Sequence, residues 1–199
     1  RERTPRGDVV LDRPLSRAQW LGMLSNLRFP QVRVIETTDF HGSVLPGPVD
    51  RRTGRVTGGT VYLASQIEAL RAANPEGTVL VDGGDVYQGS MLSNLQYGRP
   101  VVEQMNLLRY TAQAIGNHDY DWTADTLKAR AMQAHFAMLG ANITERRGGK
   151  RPWWVRADTL VERRGVEVGI LGLAYPGTPS VTLPTNVEHL RFGDDSAAA

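Results

Sequence analysis

The sequence predicts an α/β fold built on a parallel sheet. Over residues 32–143, short β-branched or apolar segments alternate with segments whose apolar residues recur at helical spacing, which is the pattern of successive βαβ units. A length of 199 residues suits one domain, or one domain and a further piece. Hydrophobic residues at 41% and charged residues at 22% are ordinary for a globular chain and exclude a disordered protein or a coiled coil.

The strands and helices of this sheet are predicted in chain order from the same periodicity. The strands are expected at residues 32–38, 78–81, 111–115 and 136–143. The helices between them are expected at residues 61–73, 100–108 and 123–134. Pro100 suits the first turn of its helix and Thr123 is a candidate N-cap, so both support these boundaries.

The pattern differs on both sides of this region. Residues 1–31 predict an irregular lead-in with a short amphipathic helix, which begins at a capping box on Ser16 and ends near Leu27. Residues 153–163 and 166–175 predict a β-hairpin, and residues 176–192 predict a long loop that ends in a short strand. We therefore divide the chain at residue 32. The residues after Gly193 have the character of a helix start, so we expect residues 32–199 to be a partial domain.

Composition excludes several function classes. A net charge of +2 is too small to favour a nucleic acid polymer or an anionic membrane surface. No run of 18 apolar residues predicts a transmembrane helix. The absence of cysteine excludes disulfides, zinc–thiolate sites and cysteine nucleophiles. No signal-peptide pattern follows the first residues.

Dense polar clusters follow three of the predicted strands. They are residues 38–42 (TDFHG), 82–89 (DGGDVYQG) and 116–122 (GNHDYDW). Because the carboxyl ends of parallel strands lie on one edge of a sheet, we expect the three clusters to meet in space. Their glycines suit tight turns and close backbone approach.

Five side chains in these clusters are candidate metal ligands: Asp39, His41, Asp85, Asn117 and His118. Carboxylate, imidazole and amide oxygen donors suit Mg, Mn, Fe or Zn. An isolated Asp-x-His is weak evidence, because it can simply end a strand. Three such clusters in order, each directly after a strand, favour a metal site strongly.

These residues resemble a known signature. Residues 39–41 (DFH), 84–85 (GD) and 116–119 (GNHD) are similar to the signature of calcineurin-type metallophosphoesterases. Longer segments, including residues 82–90 and 116–122, resemble the 5′-nucleotidase family. The resemblance runs from about residue 32 to residue 192 and covers the first part of the family's catalytic domain. It implies the N-terminal portion of a four-layer αββα sandwich.

The resemblance also implies a dinuclear site for two divalent ions (Mn, Zn, Fe, Mg or Ca). Four metal ligands are implied: Asp39 and His41 for the first ion, Asp85 bridging both ions, and Asn117 for the second. Two such ions would clamp the oxygens of an in-line displacement and activate a bridging water. Asn117 and His118 are the implied contacts of the substrate phosphate.

His118 is the implied acid that protonates or stabilises the leaving group, and Asp121 would orient it. The implied activity is hydrolysis of nucleotide phosphate esters with release of phosphate. Nucleoside 5′-monophosphates are the first expectation for the substrate; 2′,3′-cyclic nucleotides and UDP-sugars are the alternatives. A periplasmic or extracellular location is also implied by the resemblance.

The sequence departs from the family in one respect. The later Thr-His and Gly-His motifs are absent, and the histidines after His118 are only His135 and His189. The four implied ligands fall short of the roughly 8–12 bonds that two ions need. The second hypothesis is therefore a catalytically incomplete half-domain that needs another segment. The rest of the catalytic domain and a nucleoside-binding domain are expected partners.

Two smaller features have competing interpretations. Residues 142–144 (NIT) match an N-glycosylation acceptor pattern, but a strand end is the favoured interpretation. Thr123 stands where many members of the family are expected to have glycine, and an N-cap explains it.

Overall fold

The computed structural model describes residues 2–3, 9–10, 16–17 and 30–199. The chain divides into two compact units, residues 1–30 and 31–199. In the first unit, strands β1 (Glu2–Arg3) and β2 (Val9–Val10) pair antiparallel. The helix predicted from Ser16 lies outside the described residues beyond Arg17. No helix in the described part of the chain is both long and apolar enough to cross a membrane.

The second unit contains the predicted parallel sheet. Its four strands lie side by side in chain order: β3 (Arg33–Thr37), β4 (Thr78–Asp82), β5 (Ala112–Ala114) and β6 (Ala137–Leu139). Three helices connect successive strands as predicted, each within about one residue of its expected bounds. They are α1 (Thr60–Ala72), α3 (Arg99–Leu107) and α4 (Ala124–Gln133). The prediction of an α/β fold with a parallel sheet is confirmed.

One core joins the sheet to its helices. Leu80 of β4 packs in the same buried cluster as Ile67 of α1, Met105 of α3 and Leu127 of α4, and each of these side chains is at most 2% exposed. This core fixes the helices against the strands, and so it also fixes the loops at the carboxyl edge of the sheet.

A short helix that the sequence did not predict follows the second polar cluster. Helix α2 (Met91–Leu95) begins after Ser90, whose hydroxyl accepts a hydrogen bond from the backbone N–H of Ser93. Five residues are too few for helical periodicity to be visible in a sequence.

The strand predicted at residues 136–143 is wrong in its second half. Strand β6 ends at Leu139, and β7 (Ile143–Glu145) pairs antiparallel with β10 (Leu190–Phe192) in a separate sheet. At the turn between them, Asn142 directs its buried side chain to the backbone of Ala174, accepting from its N–H at 2.9 Å and donating to its oxygen at 2.6 Å. The strand-end interpretation of Asn142 is therefore wrong: this residue lies in the turn between two strands, and it is 4% exposed.

The predicted hairpin is present but shorter. Strands β8 (Asp158–Arg163) and β9 (Val166–Leu171) pair antiparallel. Both turn residues, Arg164 and Gly165, have positive φ (53° and 77°), as a two-residue type I′ turn requires. The first arm starts at Asp158, not at residue 153, because Arg156 pairs in parallel with Leu139 of β6.

The segment predicted as a loop at residues 176–192 contains two single-turn helices, α5 (Thr178–Val181) and α6 (Pro184–Val187). Each has proline within its first two positions, where proline favours a helix start. The strand near residue 190 is confirmed as β10. Helix α7 (Asp195–Ala198) follows, with Asp194 accepting from the backbone N–H of Ala197 at 3.0 Å.

Thr123 is the N-cap of α4, as predicted, and its hydroxyl accepts from the backbone N–H of Thr126 at 3.1 Å. Its backbone has φ 147° and ψ 160°, a region that glycine adopts far more readily than any other residue. This backbone conformation is the reason why glycine is expected at this position. Threonine, unlike glycine, supplies a side-chain oxygen that caps the helix.

Candidate metal centre

The loops after β3 and β4 lie directly against each other at the carboxyl edge of the sheet. The backbone N–H of Asp39 donates to the oxygen of Gly84 at 3.0 Å, and the N–H of His41 donates to the oxygen of Asp85 at 3.1 Å. The sheet therefore brings together two of the three polar clusters, which are more than forty residues apart in the sequence.

Asp39, His41 and Asp85 form a group that could hold a cation. One ligand atom from each side chain lies within 4.8 Å of the other two. Within the described ranges, neither carboxylate has an ion pair with lysine or arginine. The hydroxyl of Thr38 donates to Asp39 at 2.6 Å, and Nε2 of His41 lies 4.0 Å from the other oxygen of Asp39. Two carboxylates without a cationic partner and one imidazole are a donor set that fits a hard or borderline divalent ion.

All three members of this group have a left-handed backbone. Their φ angles are 53° for Asp39, 48° for His41 and 56° for Asp85, a conformation that is uncommon for residues other than glycine. Each residue in this conformation lowers the stability of the fold by on the order of 1 kcal/mol or more. The conformation persists because the surrounding structure holds it. The backbone hydrogen bonds between the two loops provide that restraint.

His41 is oriented through its ring. Its Nδ1 lies 2.9 Å from the backbone oxygen of Gln88, and because a carbonyl can only accept, Nδ1 carries the proton and donates it. The lone pair is then on Nε2, the atom that faces Asp39. A histidine that donates from one ring nitrogen to a carbonyl and offers the other is the usual arrangement of a metal ligand.

The third polar cluster joins this group through Asp85. The backbone N–H of His118 donates to Oδ1 of Asp85 at 2.8 Å, and the rings of His41 and His118 lie 5.1 Å apart at 68°. Asn117 directly precedes His118 and begins a short 3₁₀ turn (His118–Tyr120). The predicted convergence of all three clusters is confirmed.

Close contact between the second and third loops depends on two glycines. A Cβ on Gly116 would lie 2.2 Å from Oδ1 of Asp85, and a Cβ on Gly84 would lie 2.7 Å from the nitrogen of Gly116. Neither distance is possible for a real side chain, so larger residues here would push Asp85 away from the group.

His118 and Asp121 form a hydrogen-bonded pair. Nδ1 of His118 lies 2.8 Å from Oδ2 of Asp121, and this bond raises the pKa of His118 above its ordinary value. The hydroxyl of Thr182 donates to the other oxygen of Asp121 at 3.1 Å, and the amide of Asn186 donates to the backbone oxygens of residues 120 and 121. The pairing of His118 with Asp121 was implied by the family resemblance, whereas Thr182 and Asn186 are about sixty residues away and leave no local signal.

Asp119 is a third residue whose importance could not be predicted from the sequence. It is 2% exposed, and its carboxylate accepts from the backbone of Val86 at 2.8 Å, the backbone of Gly116 at 2.9 Å and the side chain of Gln113 at 3.1 Å. It thus ties the second loop to the third. Burial raises the pKa of Asp119 to about 7, and burial likewise raises the pKa of Asp82, at the end of β4, to about 6.

These raised pKa values predict that the metal-free protein loses stability as the pH rises. The folded state retains protons on Asp82 and Asp119 that the unfolded chain releases above about pH 4, and His118 acts in the same direction. The stabilisation is complete below the unfolded pKa values and is lost as the pH passes through about 6 and about 7. Urea unfolding after EDTA treatment should show a fall on the order of 4 kcal/mol from pH 5 to pH 8. Stability that rises over this range would contradict the prediction.

Comparison with known proteins shows similarity over most of the chain. A snake venom 5′-nucleotidase of Crotalus adamanteus is 32% identical over 83% of this chain, and the protein UshA of Escherichia coli is 30% identical over the same share. A 2′,3′-cyclic-nucleotide 2′-phosphodiesterase/3′-nucleotidase of Yersinia enterocolitica is 31% identical over 73%. The chain spans 29%, 30% and 24% of the length of these relatives. No protein-family model matches it.

Solved structures agree with these relatives. A 5′-nucleotidase precursor of Thermus thermophilus superimposes with a TM-score of 0.72 at 26% identity, over 83% of this chain and 32% of that one. The calcineurin-like phosphoesterase YfkN of Bacillus subtilis gives 0.70 at 25% identity, over 83% of this chain and 55% of that one. Sequence and fold together show that this chain is similar to the N-terminal region of 5′-nucleotidases and to a calcineurin-like phosphoesterase.

Proposed function

We propose that the protein hydrolyses phosphate esters of nucleotides at a dinuclear metal centre. The observation that carries this proposal is the convergence of a cation-binding group with a histidine–carboxylate pair at one edge of the sheet. The group is Asp39, His41 and Asp85, and the pair is His118 and Asp121. The names of the relatives, which are nucleotidases and nucleotide phosphoesterases, support the same chemistry.

In this proposal four residues hold the ions. Asp39 and His41 would hold the first ion, Asp85 would serve both ions, and Asn117 would hold the second ion and a phosphate oxygen. Bound divalent ions supply a deprotonated water at neutral pH and stabilise charge on the phosphoryl oxygens. The chain's own contribution is to fix the donors before binding, through the hydrogen bonds of His41 to Gln88 and of Asp85 to His118.

His118 acts as the general acid. The carboxylate of Asp121 accepts from Nδ1 of His118 and raises the pKa of this histidine, which favours the protonated ring and leaves its Nε2 proton for the leaving group. A ribose 5′-oxygen is a poor leaving group and needs this proton as the P–O bond breaks. Thr182 and Asn186 keep the pair in place by holding Asp121.

Nucleoside 5′-monophosphates are the first proposed substrates, with 2′,3′-cyclic nucleotides and UDP-sugars as alternatives. A periplasmic or extracellular location belongs to the same proposal and agrees with a relative named from venom. The second candidate is a half-domain that binds an ion but needs ligands from a further segment. The small ligand set favours it, because four residues cannot fill two coordination spheres without help.

The test is metal content together with product analysis. The chain is loaded with Mn²⁺, desalted and analysed for manganese, then incubated with AMP, 2′,3′-cyclic AMP or UDP-glucose. The expected products are adenosine with phosphate, an adenosine monophosphate, and UMP with glucose 1-phosphate, respectively. Two ions and hydrolysis of one of these substrates support the hydrolase. One ion without hydrolysis supports the half-domain, and no retained ion overturns both.

The role of His118 is tested in the same assay. His118→Ala should retain the ions and lose about 10²–10⁴-fold in rate with AMP. The loss should be much smaller with p-nitrophenyl phosphate, because nitrophenolate leaves without a proton. Equal losses with both substrates would show that His118 is not the acid.

A further inference from the structure

We infer that Asn94 is a positioning residue of the metal centre, which directs Nε2 of His41 to the ion by holding the peptide between Gln88 and Gly89. The inference rests on the proposed function, since it concerns the same ions. Asn94 lies on helix α2, outside the three polar clusters, and it is not one of the candidate ligands.

A single peptide group links Asn94 to His41. The oxygen of Gln88 accepts the Nδ1 proton of His41 at 2.9 Å, and the N–H of Gly89 donates to Oδ1 of Asn94 at 2.9 Å. These two atoms belong to one planar peptide, so the direction of its N–H fixes the direction of its carbonyl. The amide of Asn94 also donates to the oxygen of Gly89 at 3.3 Å, so both backbone polar groups of this glycine are paired with one side chain.

Neighbouring contacts fix the position of this peptide, so its rotation is the freedom that remains, and Asn94 controls that rotation. Gly89 packs on His41 so closely that a Cβ would lie 2.2 Å from the oxygen of His41. The N–H of Ser90 donates to that same oxygen at 3.1 Å, and the hydroxyl of Ser90 donates to the oxygen of Gly42. Ser90 therefore fixes the position of the segment, and Asn94 fixes the rotation of the peptide before it.

The chemical consequence is the choice of tautomer. A neutral imidazole carries one proton, and the other nitrogen is the metal donor. With the Gln88 carbonyl in place, the proton is on Nδ1 and Nε2 is free. Donation from the same peptide to Asn94 also polarises the carbonyl and strengthens its hold on the ring. Without Asn94 the carbonyl can rotate away, and Nε2 can then carry the proton.

The experiment compares Asn94→Ala with Asn106→Ala. Asn106 is a matched control, because it too accepts from a backbone N–H (His135, 2.7 Å) and donates to a backbone oxygen (Gln133, 2.8 Å), away from the site. The first readout is the ring ¹⁵N shifts of His41 by NMR in the metal-free protein at pH 8. We expect the Nδ1–H tautomer in the wild type and in Asn106→Ala, and a shift toward Nε2–H in Asn94→Ala.

The second readout is Mn²⁺ affinity by titration calorimetry. Asn94→Ala should bind Mn²⁺ about 10–100-fold more weakly than the wild type, and Asn106→Ala should bind as the wild type does. An unchanged tautomer in Asn94→Ala overturns the inference, as does an equal loss of affinity in both variants. If the wild type binds no Mn²⁺, the proposed function fails, and the tautomer of metal-free His41 still decides the role of Asn94.

Discussion

Asp85→Asn should weaken Mn²⁺ binding at least about 100-fold, more than a change in a supporting residue does. One oxygen of Asp85 already accepts the backbone N–H of His118 at 2.8 Å. The amide that replaces the carboxylate keeps its only oxygen on that bond, and its NH₂ group then points toward Asp39 and His41. The substitution removes one negative charge and also aims two hydrogens at the place of the ion.

Titration calorimetry with Mn²⁺ measures this effect, with Asp125→Asn as the control. Asp125 is an exposed carboxylate in the first turn of α4 and is not a member of the group. Urea unfolding of the metal-free proteins should place Asp85→Asn close to the wild type, because the bond to His118 is retained. Wild-type affinity in Asp85→Asn would mean that the ion binds elsewhere.

Asn142→Ala should lower the free energy of unfolding by about 3–5 kcal/mol, the largest loss we expect from removing one hydrogen-bonding side chain. Besides its two bonds to Ala174, the amide reaches the backbone oxygen of Gly193 at 3.1 Å and the carboxylate of Asp195 at 2.9 Å. Alanine leaves the N–H and oxygen of Ala174 without partners in a region that is 2% exposed, and each unpaired group costs about 1–3 kcal/mol.

Urea unfolding compares this variant with Asn106→Ala, which removes two hydrogen bonds from an exposed position. We expect the control to cost about 1 kcal/mol or less, because water replaces its partners. If Asn142→Ala costs no more than the control, the buried amide does not hold β7 to the segment around Ala174 and Gly193.

Local patterns account for the parts of the fold that the sequence predicted. The first three strands of the parallel sheet and the three long helices carry a visible periodicity, and their bounds agree with the structure to about one residue. The candidate site was predictable because a parallel sheet brings the ends of its strands together, and Asp39, His41 and Asp85 are each within a few residues of such an end.

The features that were missed depend on partners far along the chain. The sequence pattern predicts one continuous strand over residues 136–143, but in the structure this strand is interrupted. The interruption occurs because Asn142 forms hydrogen bonds with residues that lie 32 to 53 positions later in the chain. Thr182 lies in a proline-rich segment that looks like a loop, and its contact with Asp121 depends on the path of that segment. Asp119 was recognised as part of a motif, but its burial is visible only in three dimensions.

The agreement between spatial and chain order in the four-stranded sheet has a consequence for biosynthesis. Each strand from β4 to β6 pairs with the strand made just before it, so the sheet can grow from the amino end as the chain leaves the ribosome. The candidate group of Asp39, His41 and Asp85 is complete once residue 85 has been made, whereas the side chains that hold Asp121 arrive about sixty residues after Asp121. The emerging chain could thus bind a metal ion before the contacts that hold the His118–Asp121 pair have formed. Binding of the ion would then help the rest of the domain to fold.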